Sequence, residues 1–452
     1  MRHPSHWRLR GGIGALAGAL VLSASGFATP AFAVQPSQTG PVSTTPATGT
    51  PALTAGPLEF IRELKQCGDT VYAVGTFTSI TQDGSVYTRD NVFSFDATAP
   101  YTMTAWDPDV NGTVSTIAFD GGNCAEAYIG GSFTSVDGTS VENLAELSTT
   151  TGAVNPAFAH TANAQVYTMA VTGSHLLTGG AFTSINGTPR FYYASLNITT
   201  GKDDGYLHLD IGGTYEYSGV QHNTTHVYNQ QISHGGARVL VEGVFTSVGG
   251  KPRQQIFQMF LGSPTATVTD WTSPEFSTHC VTTEPFYIYS AAWSPTDNTV
   301  YTVSTGTHPY LWPNTYPLYG DCDAAVAYSA NEESVNPEWT NYTGCDSLYS
   351  VVADDSAVYV GGHPRWSENP NGCNDEGPGA IPDPGMQGLS PSNGSTLLNS
   401  DGTALYTMAR ANAYDMMITS TGLWIASTNR FGADTCNGVS GLAGICFLPY
   451  SS

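Results

Sequence analysis

Hydrophobic positions along this chain fall in short runs closed by Gly- or Thr-rich turns. The pattern is cleanest from Tyr128 to Phe158, YIGGSFTSVDGTSVENLAELSTTTGAVNPAF, and close variants of it return. The most regular run is an anchor strand, seen as AVGTFTS after Tyr72, IGGSFTS after Tyr128, TGGAFTS after Leu177 and VEGVFTS after Leu240. Three weaker copies centre on Tyr301, Tyr359 and Trp424, so the anchors lie 49 to 65 residues apart, as in a repeat array with loops of unequal length.

A second apolar run precedes the anchors, as in Val114–Ala118, Val166–Ala170, Ile288–Ala292, Leu348–Val352 and Ala413–Met417. A third follows most of them, at Val92–Phe95, Leu144–Leu147, Tyr193–Leu196, Ile256–Met259 and Ala325–Tyr328, and segments such as VNPAF and VNPEW supply a fourth. Four short strands repeated seven times predict an all-β fold, a seven-bladed β-propeller of four-stranded antiparallel blades. Composition agrees: 452 residues with 50 glycines, 11% aromatic and 11% charged residues suit strands and tight turns better than long helices.

The pattern VYxGGxFTSVxGxxxxNLAxLxxxTGxVxPxF, best seen at residues 127–158 and 176–196, resembles the delta-60 repeat of secreted bacterial β-propellers. The stretch from Val358 to Ser390, with YVGGHPRW and then GPGAIPDPGMQGLS, resembles a variant blade of that group. The resemblance spans residues 58–448 and implies a propeller of no settled activity.

The N-terminus changes the picture of where the chain works. Arg2, Arg8 and Arg10 precede an apolar run from Gly14 to Ala28, and Ala31-Phe32-Ala33 offers small residues for a signal peptidase, so residues 1–33 read as a signal peptide cleaved after Ala33. Residues 34–56, rich in Thr, Pro and Ser without a charge or an aromatic ring, read as a linker, and the propeller occupies residues 57–452. After Leu448 too little chain remains for a fourth strand in the last blade, so part of residues 48–60 is expected to pair with that edge. A secreted, extracellular monomer without a membrane span is the expectation.

The formal charge of −23 becomes three units more negative once the signal arginines are removed, which excludes nucleic acid as a partner and disfavours anionic membranes. Eight cysteines in an exported chain suggest four disulfides. Blade positions pair Cys280 with Cys322, Cys345 with Cys373 and Cys436 with Cys446 within blades on one face, and Cys67 with Cys124 between the first two blades on the other.

Candidate chemistry is sparse. Asp107, Asp109 and Asn111 open like a calcium loop but Ala118 stands where a bidentate Glu is needed, so the segment reads as a turn between blades. His222, His226 and His234, with Asp203 and Asp204 upstream, carry no metal-site spacing, and the Gly201–Thr225 stretch reads as a solvated insertion. Asp354-Asp355 reads as a turn. No nucleophile elbow or phosphate loop is present, and no cofactor is expected.

The strongest departure from the repeat is a set of aromatic loops between strands two and three of the last three units: His308, Tyr310, Trp312 and Tyr316; then His363, Arg365 and Trp366; then Arg430 and Phe431. Aromatic rings beside Asn, Arg and His suit the faces and hydroxyls of a sugar, although the same rings also serve to pack long loops on their disulfides. The sequence therefore points to a recognition module for an extracellular glycan or protein surface. The alternative is a secreted enzyme at the channel mouth, either a carbohydrate-active hydrolase or lyase, or a copper oxidase, which needs a free cysteine.

Overall fold

The computed structural model describes residues 40–54, 56, 59–214, 216–217, 220–221, 224–277, 280, 286–306, 321–344, 346–370, 376–408, 412–428, 435–442 and 444–451. Among them the chain is all-β, with one short 3-10 turn at Pro274–Ser277 and no α-helix. Seven antiparallel sheets of three or four strands, each built around an anchor strand, follow one another along the sequence, with smaller hairpin sheets beside them. Their first strands are Phe60–Cys67, Thr113–Asp120, Val166–Thr172, His226–Ile232, Ile288–Trp293, Leu348–Ala353 and Asp415–Thr419. Each pairs with the anchor strand, which pairs with the third.

First strands of consecutive sheets contact one another, and the first strand of the seventh sheet contacts that of the first. The core is divided accordingly into seven hydrophobic clusters, one between each neighbouring pair of sheets. The cluster that joins the last sheet to the first holds Ile61, Val71, Phe93, Trp424 and Phe447. Sheet-to-sheet packing this close explains the glycine pairs of the anchor strand. A Cβ on Gly130 would lie 2.5 Å from Cγ1 of Val166, and one on Gly179 would lie 2.6 Å from Cγ1 of Val227, both on the next sheet.

The FTS segments form small hairpins rather than continuing the anchor strands. Ser135–Val136 pairs with Thr139–Ser140, and Ser184–Ile185 with Thr188–Pro189, across Asp-Gly and Asn-Gly turns whose two residues both have positive φ. Connections between sheets pass beside these hairpins. Val110 bridges Val136, and Asn111 Oδ1 accepts from the backbone N–H of Thr134 and of Ser135, so the Asp107–Gly112 segment is a structural turn. Asp107 pairs with Arg89 at 3.0 Å.

Two expectations need correction. Only the fourth and fifth sheets have four strands, ending in Thr267–Val268 and Pro337–Tyr342. In the first, second, third and sixth sheets the outer strand shrinks to a single bridge: Phe95 with Met103, Leu147 with Val154, Leu196 with Asp203 and Leu389 with Thr396. Both segments carry the proline, but in VNPAF the chain turns at residues 156–157, with Asn155 Oδ1 accepting from the Ala157 N–H at 3.0 Å, whereas VNPEW runs on through Trp339, Thr340 and Tyr342.

The second concerns the segment expected to be a linker, much of which is docked, beginning several residues earlier than the 48–60 expected to cover the last edge. Ser43 N donates to Pro449 O at 2.7 Å and Ala47 N to Phe447 O at 2.8 Å, while Thr50 Oγ1 donates to Ile445 O at 3.2 Å. Val42 is buried, its N–H donating to Tyr359 Oη and its carbonyl accepting from Tyr406 Oη. Ala52–Leu53 then joins the hairpin of the first sheet through Thr81 and Ile80. Backbone bonds to an unpartnered strand edge, with Val42 and Leu53 as buried knobs, order a segment whose composition alone offers little apolar surface.

Disulfides join Cys67 to Cys124, Cys280 to Cys322 and Cys436 to Cys446. Cys345 and Cys373 lie outside the described residues.

Candidate functional site

The first strands share one irregularity. In six sheets the register slips by one residue near the strand start: between Ile61 and Glu63, Val114 and Thr116, Val166 and Thr168, Val227 and Asn229, Ile288 and Ser290, and Leu348 and Ser350. A bulge sets two residues against one and re-aims the extra side chain. The residues it frees are Arg62, Ser115, Tyr167, Tyr228, Tyr289 and Tyr349, and Tyr414 holds the matching place just before Asp415 in the seventh sheet.

All seven line one cavity of about 380 Å³ enclosed by the seven first strands. A smaller cavity of about 170 Å³ continues along the same strands past Lys65, Gln231, His234 and Trp293.

Five consecutive sheets thus contribute a girdle of tyrosines. His226 spans Tyr167 and Tyr228 with centroids 5.4 and 5.7 Å away, Tyr228 meets Tyr289 at 5.9 Å, Tyr289 meets Tyr349 at 5.0 Å, and Tyr349 meets Tyr414 at 5.5 Å. Phe60, 5.7 Å from Tyr414, carries the Arg62 guanidinium over its face at 4.8 Å. The hydroxyls of Tyr289 and Tyr349 are both pushed up, chiefly by burial, so they are neutral donors at any physiological pH.

The residue after each bulge is polar, Glu63, Thr116, Thr168, Asn229, Ser290 and Ser350, and Asp415 holds the matching place after Tyr414. Several of these side chains tie one first strand to the next. Ile117 N donates to Glu63 Oε2 at 2.7 Å, Met169 N to Thr116 Oγ1 at 3.1 Å, and Leu64 N to Asp415 Oδ2 at 2.9 Å, while Ser350 Oγ donates to Ala413 O at 3.0 Å. Lys65 Nζ lies 3.1 Å from Glu63 Oε1, and that carboxylate raises the Lys65 pKa. Burial first, then the charge of Glu63, pushes the Asp415 carboxyl up. Burial lowers the His226 pKa, and its Nδ1, 2.7 Å from Thr224 O, must carry the proton, so Nε2 is an acceptor.

Of the aromatic-loop residues singled out in the sequence, His363 stands against the girdle, its ring 5.4 Å from that of Tyr349. Arg365 pairs with Asp346 at 2.6 Å and stacks over Trp366 at 4.5 Å, and neither Arg365 nor Trp366 lines the cavity. His308, Tyr310, Trp312, Tyr316, Arg430 and Phe431 lie outside the described residues.

The histidine cluster does not assemble. His226 opens the strand His226–Ile232 and His234 lies in the turn beyond its far end, bonded to Asp297 at 3.0 Å, while His222 lies outside the described residues. Asp203 and Asp204 are taken by Arg190 and His175. The insertion also does more than face solvent, since Ile211–Gly212 pairs with the hairpin strand Ser247–Val248. Asp354 caps its turn through the N–H groups of Ser356 and Ala357 and accepts from Tyr359 and Tyr450.

The girdle itself was missed in the sequence, though a signal was present: the first-strand runs VYTMA, IYSAA, LYSVV and AYDMM all place Tyr second.

No family model matches this chain, and no curated protein does. Similar solved structures have low identity. The WD40 beta propeller domain of Doa1 aligns at 9% identity and a TM-score of 0.46 over 91% of this chain and 97% of that one. The computationally designed Ika8 protein aligns at 10% and 0.42, covering 88% and 98%. BamB from Moraxella catarrhalis aligns at 10% and 0.40, covering 90% and 100%.

Proposed function

We propose that this chain is an exported, monomeric seven-bladed β-propeller of the delta-60 kind that acts as an extracellular recognition module, taking a saccharide into its axial channel. The seven sheets are the blades, four of them with an abbreviated outer strand. The observation that carries the reading is the girdle: five tyrosines from successive repeats brought to one cavity, four of them by the same bulge.

Phenol rings stack on the C–H face of a pyranose and their hydroxyls bond its oxygens. A cavity of about 380 Å³ lies in the range of small-ligand sites. The hydroxyls of Tyr167, Tyr289, Tyr349 and Tyr414 make no hydrogen bond to a described residue, which leaves them for a ligand. In this reading His363, whose ring lies 5.4 Å from that of Tyr349, extends the girdle.

A glycan array followed by calorimetric titration tests it. Tyr289→Ala and Tyr349→Ala should each weaken saccharide binding by about tenfold, the loss of one aromatic platform. No binding to any saccharide, or binding indifferent to both substitutions, would overturn it.

A second reading is favoured by one pair. Glu63, paired with Lys65 and accepting from the Ile117 N–H, shares the cavity with Asp415, whose carboxyl burial pushes toward the protonated form. An ion-paired glutamate beside a carboxyl pushed up by burial suits base and acid roles in a hydrolase or lyase. Release of new reducing ends from a bound oligosaccharide, abolished by Asp415→Asn, would establish that reading over simple recognition.

A further inference from the structure

We propose that the channel selects an acidic saccharide, one bearing a uronic-acid carboxylate, and that Arg62 is its anchor. The inference rests on the saccharide reading and names the ligand class.

The argument is one of charge accounting within the cavity. Glu63 is compensated by Lys65 at 3.1 Å and by the Ile117 N–H at 2.7 Å. Asp415 accepts the Leu64 N–H and tends to the neutral acid. His226 is neutral and presents an acceptor nitrogen. Arg62 differs from all three. It occupies the bulge position, where four other sheets place a bulged tyrosine, is exposed within the cavity, and makes no ion pair with any described residue.

Phe60 holds the guanidinium by its face, and no ion pair to a described residue takes the N–H edges, which suit a planar acceptor. The charge reaches across the girdle, because it acts on both Tyr167 and Tyr289, opposing the upward push of burial there. A guanidinium edge beside stacked phenols matches a pyranose that carries a carboxylate: the ring stacks, its hydroxyls meet Tyr and His226 Nε2, and the carboxylate takes two N–H donors in parallel. A net-negative protein gains little from attracting anions by its overall field, so selectivity must come from this one site.

The test titrates the full chain with a tetrasaccharide of galacturonic acid, with the same tetrasaccharide methyl-esterified, and with hexaglutamate. The acidic sugar should bind at least about tenfold more tightly than its ester, as one charge-assisted bidentate contact implies. Arg62→Gln should reduce the acidic sugar to the affinity of the ester while leaving the ester unchanged, and Arg62→Lys should fall between. Tyr289→Ala should weaken both sugars, and unchanged melting temperatures check that each variant is folded.

Equal affinity for acid and ester, or an Arg62→Gln variant that still prefers the acid, would overturn the inference and leave saccharide recognition standing. Binding of hexaglutamate without either sugar would overturn both.

Discussion

At the scale of single residues, Glu242 breaks the repeat most sharply. It stands in VEGVFTS where the second, third and sixth anchor strands carry Gly130, Gly179 and Gly361 against the neighbouring sheet. Its carboxyl is fully buried, both oxygens lack a hydrogen-bond partner among the described residues, and burial raises its pKa to about 8. Because the folded group holds its proton more tightly than the unfolded one, its contribution is fully present below the unfolded value of 4.5 and is lost as pH rises through about 8. Glu242→Gln should therefore change the melting temperature little at pH 4.5 and raise it at pH 8.5, by on the order of a few kcal/mol of stability. Thermal melts across that range decide; a difference that does not vary with pH would mean this carboxyl is not the titrating group. The substitution of Glu for Gly was visible in the sequence, but its burial was not, since a lone Glu in a strand ordinarily faces water. The tyrosine girdle was half legible in the same way. Tyr recurs second in the first-strand runs, yet alternation alone cannot assign its face once a bulge interrupts the period of two.

At the scale of elements, strand order and the anchor strands followed directly from the short apolar runs, because apolar anchor residues such as Val71, Ile129, Leu176 and Val239 must enter the clusters between sheets. Outer strands were over-read. A segment such as VNPAF has apolar ends and shares its proline with VNPEW, and only the Asn155-capped turn at residues 156–157 makes it a single bridge and not a ladder. The closeness of neighbouring sheets gives an element-level prediction. A Cβ at position 179 would lie 2.6 Å from Val227 Cγ1 and 2.7 Å from Thr168 Cγ2, so Gly179→Ala should destabilise by about 1–3 kcal/mol through overpacking. Adding Val227→Ala should restore part of that loss, because the Cγ1 it meets is removed. Denaturant melts of the two single variants and the double variant check this, and strict additivity would show that the clash is absorbed elsewhere.

For the whole molecule, the question is what covers the free edge of the last sheet, since the third strand Ile445–Pro449 has no later strand beside it. Residues 42–50 take that place, and composition hid them because backbone hydrogen bonds to an edge require no particular side chain. Their removal has a calculable direction. A chain beginning at Leu58 loses the bonds from Ser43 and Ala47 to Pro449 and Phe447, and it uncovers the Val42 site, where Tyr406 Oη donates to the Val42 carbonyl at 2.6 Å. Ala52 and Leu53 also leave the hairpin of the first sheet, so a single deletion loosens both sides of the junction between the seventh and first sheets. Each buried polar group left without a partner costs about 1–3 kcal/mol, and on a domain this large a few such losses lower the melting temperature by on the order of 5 °C or more. The exposed edge should also associate with other copies, so light scattering should rise with concentration for the shortened chain and not for the full one. A shortened chain that keeps the full melting temperature would show that the sheets close without this segment. One that melts early but regains its stability when a peptide of residues 40–54 is added would assign the closure to the docked segment itself.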